Sequence, residues 1–167
     1  MIKIFKSIFV SLVISATLLI QPNLAFSYDS IGNLLSYEQK DIGAITRFEY
    51  NNPFNQISLI KDPKGQSTYF YYDAKSNLYQ IKDMAGNTTT LEYDAQGLLT
   101  KAKDALNNQT LFSYDLLTKN LVSTTNPLSY TTSYEYDSYG NVISSTDGEG
   151  KKTQFEYDVI NRLIKVT

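Results

Sequence analysis

A six-residue stretch, rewritten along the chain at a fixed interval, restricts this sequence to a stacked array of small units. Thr153-Gln154-Phe155-Glu156-Tyr157-Asp158 carries the pattern Thr, any, aromatic or Leu, any, Tyr, Asp. The pattern returns at Thr132–Asp137, Thr110–Asp115, Thr89–Asp94 and Thr68–Asp73. It ends in Asn at Thr46–Asn51, and a half copy, Tyr28-Asp29, opens the series. The marker tyrosines are Tyr28, Tyr50, Tyr72, Tyr93, Tyr114, Tyr136 and Tyr157, spaced by 22, 22, 21, 21, 22 and 21 residues. A constant period of this size signals a repeat architecture in which each unit stacks on its neighbours.

Each period reads as strand, turn, strand, turn. In the marker strand Thr68, Phe70 and Tyr72 share one face, and Tyr69 and Tyr71 point to the other. Side chains alternate along a strand, so the constant Thr-aromatic-Tyr face should pack and the variable face should be wet. A first turn follows, as in Tyr136-Asp137-Ser138-Tyr139-Gly140-Asn141, with Asn77 and Asn161 near the Gly slot in other copies. Asp bonds its own backbone two residues on, and Gly accepts a positive φ. The second strand begins with an aliphatic residue: Ile57–Lys61, Leu78–Lys82, Leu99–Lys103, Leu121–Thr125, Val142–Thr146 and Leu163–Thr167. A second turn, such as Asp62-Pro63-Lys64-Gly65, has the residue choices of a type I turn and returns to the next marker. Short turns between neighbouring strands favour antiparallel pairing. The expected fold is all-β: an antiparallel meander forming a curved single sheet or a solenoid-like strip. Gly65, Gly86, Gly140 and Gly150 are its expected structural glycines.

The first 27 residues differ in kind. Lys3 and Lys6 precede an uncharged apolar run from Ser7 to Ile20, and Ala25-Phe26-Ser27 puts small residues at positions −3 and −1 of a cleavage site. This is the pattern of a secretory signal peptide. The run falls short of the roughly 20 residues that span a bilayer, so no stable membrane span is expected after cleavage. The chain therefore divides into a signal peptide, 1–27, and an array, 28–167, of about six and a half repeats of 21–22 residues. The expected location is secreted or at the cell surface, periplasmic or extracellular.

The composition limits the chemistry. Fifteen basic against 17 acidic residues give a formal charge of −2, which offers nucleic acid no electrostatic footing. Cys and His both number zero, so a thiolate nucleophile, a disulfide and the commonest general base are excluded. No catalytic, cofactor-binding or metal site is expected. The recurring Asp residues occupy turns one carboxylate at a time, whereas calcium needs about six to eight oxygen ligands together. Glu92, Glu135 and Glu156 are matching repeat positions rather than an acid pair across a cleft. The marker tyrosines read as packing positions. Tyr69, Tyr71 and Tyr79 cluster in one repeat and form the candidate contact surface, with cell-surface glycan as ligand.

Tyr-Asp-x-x-Gly-Asn-Leu, Asp-x-x-Gly-x-x-Thr and aromatic-x-Tyr-Asp, kept in phase over 28–167, resemble the YD repeat of Rhs proteins. The resemblance implies a strip of the sheet that, in Rhs proteins, their wall-associated relatives and teneurins, spirals into a hollow shell. In bacterial polymorphic toxins such a shell encloses a C-terminal toxin that is released after self-cleavage. This chain carries far fewer repeats than a closed shell needs, and neither the cleavage segment nor a toxin domain. It is accordingly expected to be a non-enzymatic structural module, a truncated or split fragment. Its expected partner is further YD-repeat polypeptide or another copy, joined through open sheet edges.

Overall fold

A computed structural model describes residues 23–167, so most of the signal-peptide pattern lies outside the described residues. Fourteen strands follow: β1 (Leu24–Tyr28), β2 (Leu34–Gln39), β3 (Ala44–Glu49), β4 (Leu59–Lys61), β5 (Ser67–Tyr72), β6 (Leu78–Lys82), β7 (Thr88–Tyr93), β8 (Leu99–Lys103), β9 (Gln109–Tyr114), β10 (Leu121–Thr125), β11 (Thr131–Tyr136), β12 (Val142–Thr146), β13 (Lys152–Tyr157) and β14 (Leu163–Val166). The described residues form two compact units, divided after Thr88. In the first, β1 to β6 run in chain order, each antiparallel to the next. In the second, β7 to β14 do the same. The all-β meander expected from the period is therefore the observed fold. No helix among the described residues is long and apolar enough to cross a membrane.

Odd-numbered strands carry the marker and even-numbered strands follow the first turn. In most marker strands the register slips by one residue just before the tyrosine, for example between Glu135 and Tyr136, so Tyr136 faces Val142 while Glu135 faces Ser144. The same slip occurs at Tyr71/Tyr72, Glu92/Tyr93 and Glu156/Tyr157. A bulge of this kind adds a residue on one side and increases local twist.

The alternation of faces is as the sequence indicates. In β9, β11 and β13 every second residue is exposed, and Thr110, Phe112 and Tyr114 are among those half-buried. The constant face forms rows across the strands. Phe48 faces Ile60, which faces Thr68; Phe112 faces Thr124, which faces Thr132. Only Phe48, Ile57 and Leu98 among the described hydrophobic residues are buried, each under a tenth exposed. A single layer has no second layer to close over it, so its core is a half-covered stripe rather than a dry interior.

Two strands depart from the sequence expectation. β4 begins at Leu59, two residues after Ile57, because Asn51–Gln56 forms a longer first turn. Ile57 keeps its packing role outside the strand, at 8% exposure. At the start of the array, Leu24-Ala25-Phe26-Ser27-Tyr28 is a whole marker strand with the characteristic slip between Ser27 and Tyr28.

Candidate functional site

The recurring polar groups meet at the turns. In the first turn, Asp137 N–H donates to the Asn141 carbonyl (3.0 Å) and Gly140 N–H donates to the Asp137 carbonyl (3.1 Å). Asp137 Oδ1 accepts from the N–H groups of Tyr139 and Asn141, both at 2.9 Å, and its Oδ2 accepts from Asn141 Nδ2 at 2.8 Å. Gly140 closes the loop at φ +85°. The second turn is built identically. Asp83 Oδ1 accepts from Ala85 and Asn87 N–H (2.9 and 2.8 Å), and Oδ2 accepts from Asn87 Nδ2 (2.9 Å). Two sequence motifs that look distinct are thus one structure, a carboxylate that fastens a five-residue loop.

The left-handed residue is the fourth of the five. Gly65, Gly86, Gly140 and Gly150 all take it, and so does Asn161. Asn77 does not: Ser76 takes the positive φ (69°), and Asn77 instead donates to Asp73 Oδ2 at 3.0 Å. The fifth position as an Asp clamp went unrecognised in the sequence, although Gly32-Asn33, Gly86-Asn87 and Gly140-Asn141 repeat it.

These bonds hold the carboxyls of Asp73, Asp83, Asp104 and Asp137 below the ordinary carboxylate range. For Asp73 the Asn77 N–H is the largest cause; for Asp83, Asp104 and Asp137 it is the side-chain amide of Asn87, Asn108 and Asn141. A carboxylate that accepts several N–H bonds favours its charged form. The charge is not required by the geometry, however. Asn126 Oδ1 accepts from Leu128 and Tyr130 N–H at 3.0 Å in the same arrangement. An amide does the work of the carboxylate, which marks the position as turn-forming rather than metal-binding. Among the described residues no group of three or more Asp or Glu is placed to hold a metal.

The marker tyrosines tie one repeat to the one before. Tyr50 Oη donates to the Leu34 carbonyl (3.1 Å), Tyr72 to Ile57 (2.9 Å), Tyr136 to Leu121 (2.7 Å) and Tyr157 to Val142 (2.9 Å). Each acceptor lies just beyond the preceding first turn, where the always-aliphatic residue sits. Burial raises the pKa of Tyr50, with Asp29 adding to it, and that of Tyr114, with Asp94 adding to it. Neighbouring first turns are also stitched side by side. Asn33 and Asn55 exchange amide bonds (2.8 and 2.9 Å), Ser76 Oγ donates to Gln56 Oε1 (2.9 Å), and Asn141 Nδ2 donates to Asn161 Oδ1 (2.9 Å).

Neighbouring second turns instead touch through Gly148. A Cβ there would lie 2.6 Å from Tyr130 Cβ and 3.1 Å from its Cα. The obstacle includes backbone, so Gly148→Ala should cost about 1–3 kcal/mol, the range for overpacking. Chemical denaturation of Gly148→Ala against the parent chain checks this, and an unchanged midpoint would refute it.

On the wet face, the matched glutamates pair with lysines. Glu92 meets Lys101 at 2.6 Å, Glu156 meets Lys165 at 2.6 Å and Glu135 meets Lys152 at 3.0 Å. Exposed pairs of this kind contribute little stability, and they leave these carboxylates apart from one another. Tyr69, Tyr71 and Tyr79 are all exposed. The Tyr71 and Tyr79 rings are 6.4 Å apart and tilted by 45°, and Tyr69 lies two residues away on the strand.

Fold and turn chemistry together define a β-repeat array with its period fixed by tyrosine and aspartate. The RHS Repeat profile matches residues 72–109, 114–151 and 136–167, more than half of the chain. The chain belongs to the RHS repeat family. Among solved structures it is similar to the TcdB2-TccC3-Cdc42 complex, with a TM-score of 0.63 and 19% identity over 84% of this chain and 9% of that one. TcdB2-TccC3 gives a TM-score of 0.64 at 19% identity, again over 84% and 9%. The Photorhabdus luminescens Tc holotoxin pore gives 0.64 at 19% identity, over 84% and 8%. At such identity the fold is what is shared. No curated protein sequence matches the chain.

Proposed function

We propose that this array is an exported structural module, a segment of a β-sheet casing that works by joining further repeat polypeptide and performs no chemistry of its own. One observation carries this reading. The polar groups that recur, the tyrosine hydroxyls and turn carboxylates, are spent on the protein's own backbone. A recurring group so committed holds neighbouring repeats in register and leaves no donor aimed at a substrate. The likeness of fold to TcdB2-TccC3, of which this chain spans 9%, supports the reading of the array as one segment of a larger repeat sheet. A glycan-contact role for Tyr69, Tyr71 and Tyr79 is subordinate, because that cluster lies in one repeat while the hydroxyl and carboxylate bonds recur along the array.

The test is the state of the exported chain in the organism that encodes it. After cross-linking and light scattering, we expect a complex whose second component is another copy or a polypeptide carrying Tyr-Asp repeats. A protease-resistant monomer would overturn the reading.

A further inference from the structure

The cleavage motif and the first strand occupy the same residues. Ala25-Phe26-Ser27 supplies the −3 and −1 positions, while Leu24–Tyr28 is β1. Cleavage after Ser27 removes four of that strand's five residues. Resting on the reading of residues 1–27 as a signal peptide, we propose that export dismantles β1. The processed chain then presents β2 as an open edge that accepts a marker-type strand from a second polypeptide.

The contacts of β1 define what would be uncovered. Leu24 pairs with Gln39, Ala25 with Glu38, Phe26 with Tyr37 and Ser27 with Ser36. Lys40 N–H donates to the Asn23 carbonyl at 2.9 Å, and Asn23 Nδ2 donates to Asp41 Oδ1 at 2.6 Å. Ser27 Oγ and Ser36 Oγ are 2.7 Å apart. Loss of these residues leaves a row of unpaired N–H and C=O groups along residues 34–38 of β2. It also takes Phe26 off Tyr37, whose ring lies 6.1 Å from that of Phe48. An unpaired edge beside an uncovered aromatic is a template for strand addition.

The rest of the chain identifies the occupant. β4, β8, β10 and β12 each lie between two marker strands. Among the described residues β14 has a marker on one side only, β13; after processing β2 has one only as well, β3, and β2 is the strand that has lost a partner fitted to it. The segment that fits is extended, antiparallel to β2, and carries an aromatic residue two places before Tyr-Asp, so that the aromatic faces Tyr37. Main-chain bonds supply the affinity and the aromatic supplies the selectivity. Cleavage precedes folding because the peptidase acts on the emerging chain, so β1 has no sheet to protect it.

The experiment starts from the full gene, expressed and exported. The intact mass of the product should place its N-terminus at Tyr28. A fluorescent peptide with the sequence Asn23–Asp29 should then bind saturably. The same peptide with Ser in place of Phe26 should bind about tenfold more weakly or worse, as loss of an aromatic anchor does. Ser27→Val puts a branched residue at −1 and keeps strand propensity; that product should retain β1 and bind the peptide about tenfold more weakly or worse, any uptake at β14, which has one marker neighbour in both products, being the background. A product cleaved between the apolar run and Leu24 keeps β1, overturns the inference and leaves the signal peptide standing. A product that keeps Met1 overturns both. A product that starts at Tyr28 and ignores the peptide overturns the open edge alone.

Discussion

Tyr136→Ala should destabilise the second unit by about 2 kcal/mol, and Tyr136→Phe by about half of that. Full truncation of a buried aromatic costs about 3–5 kcal/mol, and Tyr136 is half-buried on a one-layer sheet, which scales the figure down. Phe keeps the ring and deletes the bond to the Leu121 carbonyl at 2.7 Å; a lost hydrogen bond is worth about 1 kcal/mol. Tyr139, three residues on and 80% exposed in the turn, is the control; its Ala variant should stay within about 0.5 kcal/mol of the parent. Urea midpoints at constant slope read all three. Equal midpoints for Tyr136→Phe and the parent would mean that the hydroxyl lock contributes nothing. The lock also has an alkaline limb. Burial raises the Tyr136 pKa, with Tyr134 adding to it, so the stabilisation is complete below about pH 10, the unfolded value. It is lost as pH rises through the folded value.

The meander was legible in the sequence because two periods coincide there: alternation within a strand and the 21–22 residue repeat between strands. The face assignment followed from the same alternation and holds for Phe70 and Tyr72 against Tyr69 and Tyr71. What stayed hidden depends on atoms that meet only after folding. Tyr136 and Leu121 are 15 residues apart, and nothing local to either predicts that one caps the other. Gly148 resembles an ordinary turn glycine until Tyr130, from the neighbouring turn, is set against it. Leu24-Ala25-Phe26-Ser27-Tyr28 was obscured for another reason: a cleavage motif and a strand both ask for an extended chain. The sequence favoured the motif, and the described residues form the strand.

Acid should weaken the array more sharply than its few ion pairs suggest, because the clamp carboxyls act together. Asp29, Asp73, Asp83, Asp104, Asp115, Asp137 and Asp158 all lie below their ordinary range in the fold. A depressed folded pKa means that the unfolded chain binds protons first. The stabilisation is therefore complete above about pH 4, the unfolded Asp value, and is lost as pH falls through the lower folded values. Glu135 adds to this limb, held down first by Ser144 and then by Lys152. Thermal unfolding followed between about pH 6 and pH 2 should show a midpoint that is flat at first and then falls steeply. General charge repulsion also grows in acid, so the cause has to be separated. Asp137→Asn does that, since Asn126 already closes the same turn without a titrating group. The variant should be weaker than the parent at neutral pH and lose less on acidification, so the two curves converge. Parallel curves would show that the clamp carboxylates do not drive the acid limb.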